Sequence, residues 1–154
     1  DPRNPSSKRR VAEVKGGGWN IADFEPGNAR AVAFEYLSIT KSNLHLLDLA
    51  SGRMTPIGDH SKPIYYGGAQ FAPNGTLWVT SDEGSDVQRL GRLDTRTGKF
   101  TAVTPASRWD VEEFEVSEDG RTVAYTLNEA NVEYGRPTDG FLARRLQLGF
   151  RLTF

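Results

Sequence analysis

Apolar and β-branched residues occur in short runs along this chain, separated at intervals of about ten residues by Gly, Pro, Asn and Asp. The runs are Val11 to Val14, Ala31 to Leu37, Leu44 to Leu49, Thr76 to Thr80, Gln88 to Leu93, Phe100 to Val103 and Thr122 to Thr126. Before the C-terminus none shows the three-and-four spacing of a helix that buries one face, so the pattern predicts an all-β chain. The last residues fit the same reading, because Leu146, Leu148, Phe150, Leu152 and Phe154 alternate with Gln147, Gly149, Arg151 and Thr153 at the period of a strand.

The runs repeat as a unit. Trp19 to Asn28, Tyr66 to Gly75 and Val111 to Gly120 each lead through a turn into a strand, and taking Phe24, Phe71 and Val116 as equivalent gives steps of 47 and 45 residues. A second anchor agrees: Leu47-Asp48-Leu49-Ala50-Ser51-Gly52-Arg53 recurs as Leu93-Asp94-Thr95-Arg96-Thr97-Gly98-Lys99, 46 residues on. Each unit reads as four antiparallel strands. Pro73-Asn74-Gly75 or Glu118-Asp119-Gly120 supplies a tight first turn in which Gly takes positive φ. Asp48 or Asp94 closes the later turn by accepting backbone N–H groups that precede Gly52 or Gly98. A four-stranded repeat of this length is the signature of β-propeller blades, whose faces are buried only against neighbouring blades. An ordinary β-sandwich is the competing architecture.

The fold class is therefore all-β, a partial propeller of about three four-stranded blades. Residues 1–18 hold the outer strand of a preceding blade (Arg9 to Val14), 19–65 and 66–110 are blades, 111–130 begin a third, and 131–154 are an atypical tail. Three blades do not close a ring, since about four to eight are needed. A homo-oligomer is expected, with a dimer completing a six-bladed ring, the N-terminal strand of one chain finishing the third blade of the next and the alternating tail adding a strand there.

Composition narrows the chemistry. Nineteen Lys and Arg against 20 Asp and Glu leave a formal charge of −1, which provides no basic stripe for nucleic acid. No apolar run approaches the roughly 18 residues of a spanning helix, and Asp1 to Ser7 lack the apolar core of a signal peptide, so a soluble domain with no membrane partner is expected, its compartment open. With no cysteine and only His45 and His60, no metal site and no cofactor is expected.

Several blocks in combination resemble one family. Gly16-Gly17-Gly18-Trp19, Glu35-Tyr36-Leu37-Ser38-Ile39, Leu44-His45-Leu46-Leu47-Asp48, Tyr66-Gly67-Gly68-Ala69-Gln70-Phe71, Thr80-Ser81-Asp82, Gln88-Arg89-Leu90 and Trp109-Asp110-Val111-Glu112-Glu113-Phe114 are similar to the N-terminal β-propeller of bacterial prolyl-oligopeptidase-like serine peptidases, with turns of the WD-repeat-like, TolB-type repeat. The resemblance covers about residues 5 to 130. It implies a propeller that caps an α/β-hydrolase domain and filters substrate by size. None of the ten serines sits in a Gly-x-Ser-x-Gly elbow and both histidines lie within the repeats, so the family's nucleophile, base and acid have no counterpart here. From Glu133 to Gly140 the likeness stops.

The resemblance thus implies a non-catalytic assembly, gating or interaction module. Two other readings stand beside it: a TolB-like binding module, and a small glycosidase-like hydrolase whose carboxylates come together on assembly. For the last, Asp110, Glu112 and Glu113 are the candidates, in the densest acidic stretch of the chain, which also includes Glu115, Glu118 and Asp119. A solvated rim and turn is the competing account of that stretch. Regular alternation would point Glu113 and Glu115 one way and Glu112 and Phe114 the other. His45 reads as a packed strand residue, His60 as a freely titrating loop residue with no second histidine nearby, and Asp82 to Asp86 as a turn rather than a calcium loop. Trp19, Trp78 and Trp109 read as packing between blades rather than a sugar platform.

Overall fold

A computed structural model describes residues 3–128 and the backbone of Phe150–Thr153. Among these residues eleven strands form three antiparallel sheets. The first blade contains β1 (Trp19–Phe24), β2 (Arg30–Ser38), β3 (Lys41–Asp48) and β4 (Met54–Ile57) in sequential order. The second repeats that order with β5 (Tyr66–Phe71), β6 (Leu77–Ser81), β7 (Arg89–Leu93) and β8 (Phe100–Ala102). The third begins with β9 (Asp110–Val116) and β10 (Thr122–Asn128), and β11 (Phe150–Thr153) pairs antiparallel with β10. The expected propeller architecture is borne out.

The turns carry the repeat at atomic detail. The Asp48 Oδ1 accepts the N–H groups of Ala50 and Ser51 at 3.1 and 2.7 Å, and the Asp94 Oδ1 accepts those of Arg96 and Thr97 at 2.8 and 2.9 Å. These bonds hold both carboxyls below their usual range, those from Ser51 and Thr97 first. Gly52 and Gly98 then donate to the carbonyls of Asp48 and Asp94, both at 2.8 Å and both with φ of 73°. In the first turn of the second blade Gly75 has φ of 83°, a conformation strained for any residue with a Cβ.

Two cores lie between the three blades. Val32, Phe34, Leu44, Leu46 and Ile57 of the first blade meet Tyr66, Phe71, Leu77, Val79 and Leu93 of the second. Trp78 and Leu90, on the far side of the second blade, meet Val111, Val123 and Tyr125 of the third. The middle strand β6 therefore serves both, Leu77 and Val79 facing one way and Trp78 the other. The Ser42 hydroxyl secures the first junction, accepting the Tyr66 N–H at 2.7 Å and donating to the Tyr66 carbonyl at 2.8 Å.

The N-terminal segment differs from expectation. Arg9 to Val14 is not a strand: the Arg9 guanidinium donates to the carbonyls of Leu49 and Ala50, and Val11 lies so close to the turn of β3 and β4 that a Cβ on Gly52 would strike its carbonyl oxygen. An alternating run extends into a strand only against a paired neighbour, and here the segment lies along a turn instead. The tail strand β11 pairs with β10 in the third position of its own blade, and residues 129–149 and 154 of the tail lie outside the described residues.

The repeat yields a test of what blade stacking contributes. Phe24 and Phe71 are equivalent, yet Phe24 is 49% exposed and Phe71, facing the first blade, 7%. Phe71→Ala is expected to cost about 3–5 kcal/mol and Phe24→Ala about 1 kcal/mol or less, measured by urea unfolding. Equal losses would show that stacking is not what buries this position.

Candidate functional site

The inner strands β1, β5 and β9 come together edge to edge, as the first strands of propeller blades do around a channel. They line a cleft of about 690 Å³, to which β1 contributes Asn20, Ala22 and Asp23, β5 contributes Gly67 to Gln70, and β9 contributes Glu112 to Glu115. Each inner strand carries an irregularity: Ala22 is extra relative to β2, Gly67 and Gly68 face a single residue of β6, and Glu112 is extra relative to β10. Such a bulge re-aims the side chains beside it. In β9 it lets Val111, Phe114 and Val116 all pack toward the second blade, although regular alternation would set Val111 and Phe114 on opposite faces. The Gly68 position has no room for a side chain, because a Cβ there would lie 2.9 Å from the Phe114 ring.

The polar groups between the inner strands join the blades. The Asp23 carboxylate accepts the N–H of Phe71 at 2.7 Å through Oδ2 and that of its neighbour Phe24 at 2.8 Å through Oδ1. One repeat on, the Gln70 amide oxygen accepts the N–H of Val116 at 3.1 Å. Asp23, Gln70 and Glu115 hold the same repeat position, so the side chain just before the anchor residue of one blade takes the anchor's N–H in the next. Further along the strands, Asp110 accepts the Gln88 N–H at 2.7 Å and Asp82 the Tyr65 N–H at 2.8 Å.

Of the three candidate catalytic carboxylates, the structure thus makes Asp110 a joint between the second and third blades. Glu112 and Glu113 line the cleft as exposed neighbours on one strand, the first at the bulge, so the expected alternation that opposed Glu112 to Glu113 is broken there. Asp82 to Asp86 form a turn, with the Ser85 N–H donating to the Asp82 carbonyl at 2.9 Å. Trp78 is buried between blades at 4% exposure; Trp19 stacks within its own blade on His45, ring centroids 5.1 Å apart, and Trp109 lies beside Arg108.

His60 corrects the sequence reading. His60 is not an isolated loop group: its ring lies 4.9 Å from that of His45, and its Nε2 stands 3.0 Å from the Leu44 carbonyl and 3.1 Å from that of Ile57, which requires a proton on Nε2. His45 is half-buried, its Nδ1 without a hydrogen-bond partner, and burial first, then His60, lowers its pKa. Among the described residues no group of three or more His, Cys, Asp or Glu side chains gathers to hold a metal, and no helix is long and apolar enough to cross a membrane.

Stacked antiparallel blades, the first two of four strands each, are a fold this chain shares with TolB-type β-propellers. A structure of TolB from Acinetobacter baumannii matches 73% of this chain at 20% identity and a TM-score of 0.58, and a putative TolB from Agrobacterium tumefaciens matches 77% at 15% identity and a TM-score of 0.64. A variant of puromycin hydrolase, solved in complex with a ligand, matches 68% at 21% identity and a TM-score of 0.52. These matches cover 28%, 42% and 18% of the respective proteins, so the chain spans well under half of each. At these identities the likeness is one of fold. No protein-family model matches the sequence, and no curated protein is similar to it in sequence.

Two outcomes test this geometry. Asp23→Ala leaves the Phe71 N–H without an acceptor and is expected to cost about 1–3 kcal/mol, whereas Asp23→Asn, which still offers an oxygen, retains most of the stability. Equal urea midpoints for Asp23→Ala and the parent would remove the joint from the account. For His45, a pKa lowered in the fold means that the unfolded chain binds the proton first, so its contribution is complete above the ordinary value of 6.5 and is lost as pH falls below it. The loss of stability between neutral and mildly acidic pH should be smaller in His45→Phe; an unchanged loss would assign it to other groups.

Proposed function

We propose that the chain is a non-catalytic propeller module that works by assembly and interaction, as the propeller of a prolyl-oligopeptidase-like peptidase does in gating access to a separate hydrolase. The observation that supports this most directly is how the polar groups at the blade junctions are used. Asp23, Gln70 and Asp110 accept backbone N–H groups across blade junctions, which fixes them as joints. Glu112 and Glu113 are exposed at adjacent positions of a single strand. A carboxylate hydrolase instead needs two carboxyl groups on opposite sides of the scissile bond at a defined spacing. The fold shared with TolB and with puromycin hydrolase supports a propeller module without assigning either protein's ligand to this one.

The test is enzymatic. A fluorophosphonate probe is expected to label none of the ten serines, and aryl glycosides and aryl esters should turn over no faster than in buffer. Labelling of a unique serine would overturn the reading, as would glycoside hydrolysis that disappears in Glu112→Gln or Glu113→Gln.

A further inference from the structure

The joint that links the inner strands has an unused acceptor at one end of the array and an internally capped donor at the other. Asp23 serves the N–H of Phe71 and Gln70 serves that of Val116; Glu115 is the next acceptor in the series and is exposed. At the opposite end the Phe24 N–H, the donor equivalent to those of Phe71 and Val116, is taken up by its own neighbour Asp23. The side chains around these groups repeat the contrast. Ile21 and Phe24, on the face of the first blade turned away from the second, are 45% and 49% exposed. On the far face of the third blade Ala124 pairs with Glu115 and Thr126 with Glu113, and these small side chains leave space at the place where Val32 and Phe34 receive Phe71 in the first junction.

We infer that the third blade of one chain seats the first blade of a second copy, with Glu115 accepting the partner chain's Phe24 N–H and the partner's Phe24 and Ile21 lying over Ala124 and Thr126. The inference rests on the assembly role proposed above and names its occupant. A second copy fits because it carries both halves of a junction that this chain already makes twice internally, and because a formal charge of −1 raises little repulsion between copies. The described part of that face, Ala124 and Thr126 beside Glu113 and Glu115, is smaller and more polar than the faces buried inside the chain. The contact therefore buries less apolar surface than the internal junctions and is reversible, with each chain folded before it associates.

Sedimentation velocity of the 154-residue chain over a micromolar concentration series tests this. Concentration-dependent dimer is expected, and a monomer throughout overturns the inference, whether the face is vacant or belongs to another blade. Glu115→Ala should weaken the dimer about tenfold or more, while Glu115→Gln, the group that Gln70 uses internally, should retain it. Phe24→Glu should abolish the dimer while the circular dichroism of the dilute chain stays that of the parent. A dimer insensitive to Glu115→Ala and Phe24→Glu would overturn the junction. Hydrolase activity is read separately, so a catalytic chain that still dimerises through Glu115, or an inactive one that stays monomeric, tells the two proposals apart.

Discussion

The spacing of the blades depends on one hydrogen bond made twice: a side-chain oxygen on one inner strand accepting a backbone N–H of the next. An antiparallel edge strand offers unpaired backbone groups, and in a propeller two such edges lie close together without forming a ladder. A side-chain acceptor answers this by satisfying a donor on the neighbouring strand while keeping the strands in separate sheets. The two cores then fall into place, since fixing the inner strands sets which residues of β2 and β3 meet β6, and which of β6 meet β10. The bulges belong to the same solution, because an extra residue in β5 and in β9 lets Tyr66 with Phe71, and Val111 with Val116, face the preceding blade together.

The turns and the repeat were legible in the sequence because they depend on particular residue types. Only Gly takes φ of 73° at little cost in the Asp48 and Asp94 turns, and a carboxylate at the fourth position before it is the acceptor those turns need, so identity recurs at each. The inter-blade joint was not legible. Its two occupants, Asp23 and Gln70, and Glu115 at the same repeat position share an oxygen and differ in length or charge, so comparing the repeats shows variation where the joint is made.

The candidate site was legible only as a cluster. Counting carboxylates finds Asp110, Glu112 and Glu113, but not that Asp110 bonds the Gln88 N–H or that Glu112 sits at a bulge, since no side-chain pattern signals an extra residue. Arg9 to Val14 shows the opposite failure: the run has strand composition, and what decides its conformation is whether a partner strand lies beside it. The approach of His60 to His45 arises in the same way, from a loop folding back over the third strand of its own blade.

The burial of β6 gives the array an internal gradient. Every residue from Leu77 to Ser81 is buried, because this is the blade among those described that has a neighbour on both faces. In a linear array, stability is close to a sum of unit terms and nearest-neighbour terms, so removing an end blade forfeits one interface and opening the middle forfeits two. Backbone amides of the second blade should accordingly exchange with solvent most slowly, with protection falling away toward both ends. Among the three described blades the middle one is then the last to lose its form, and an opening on either side of it bares one face while the other stays covered.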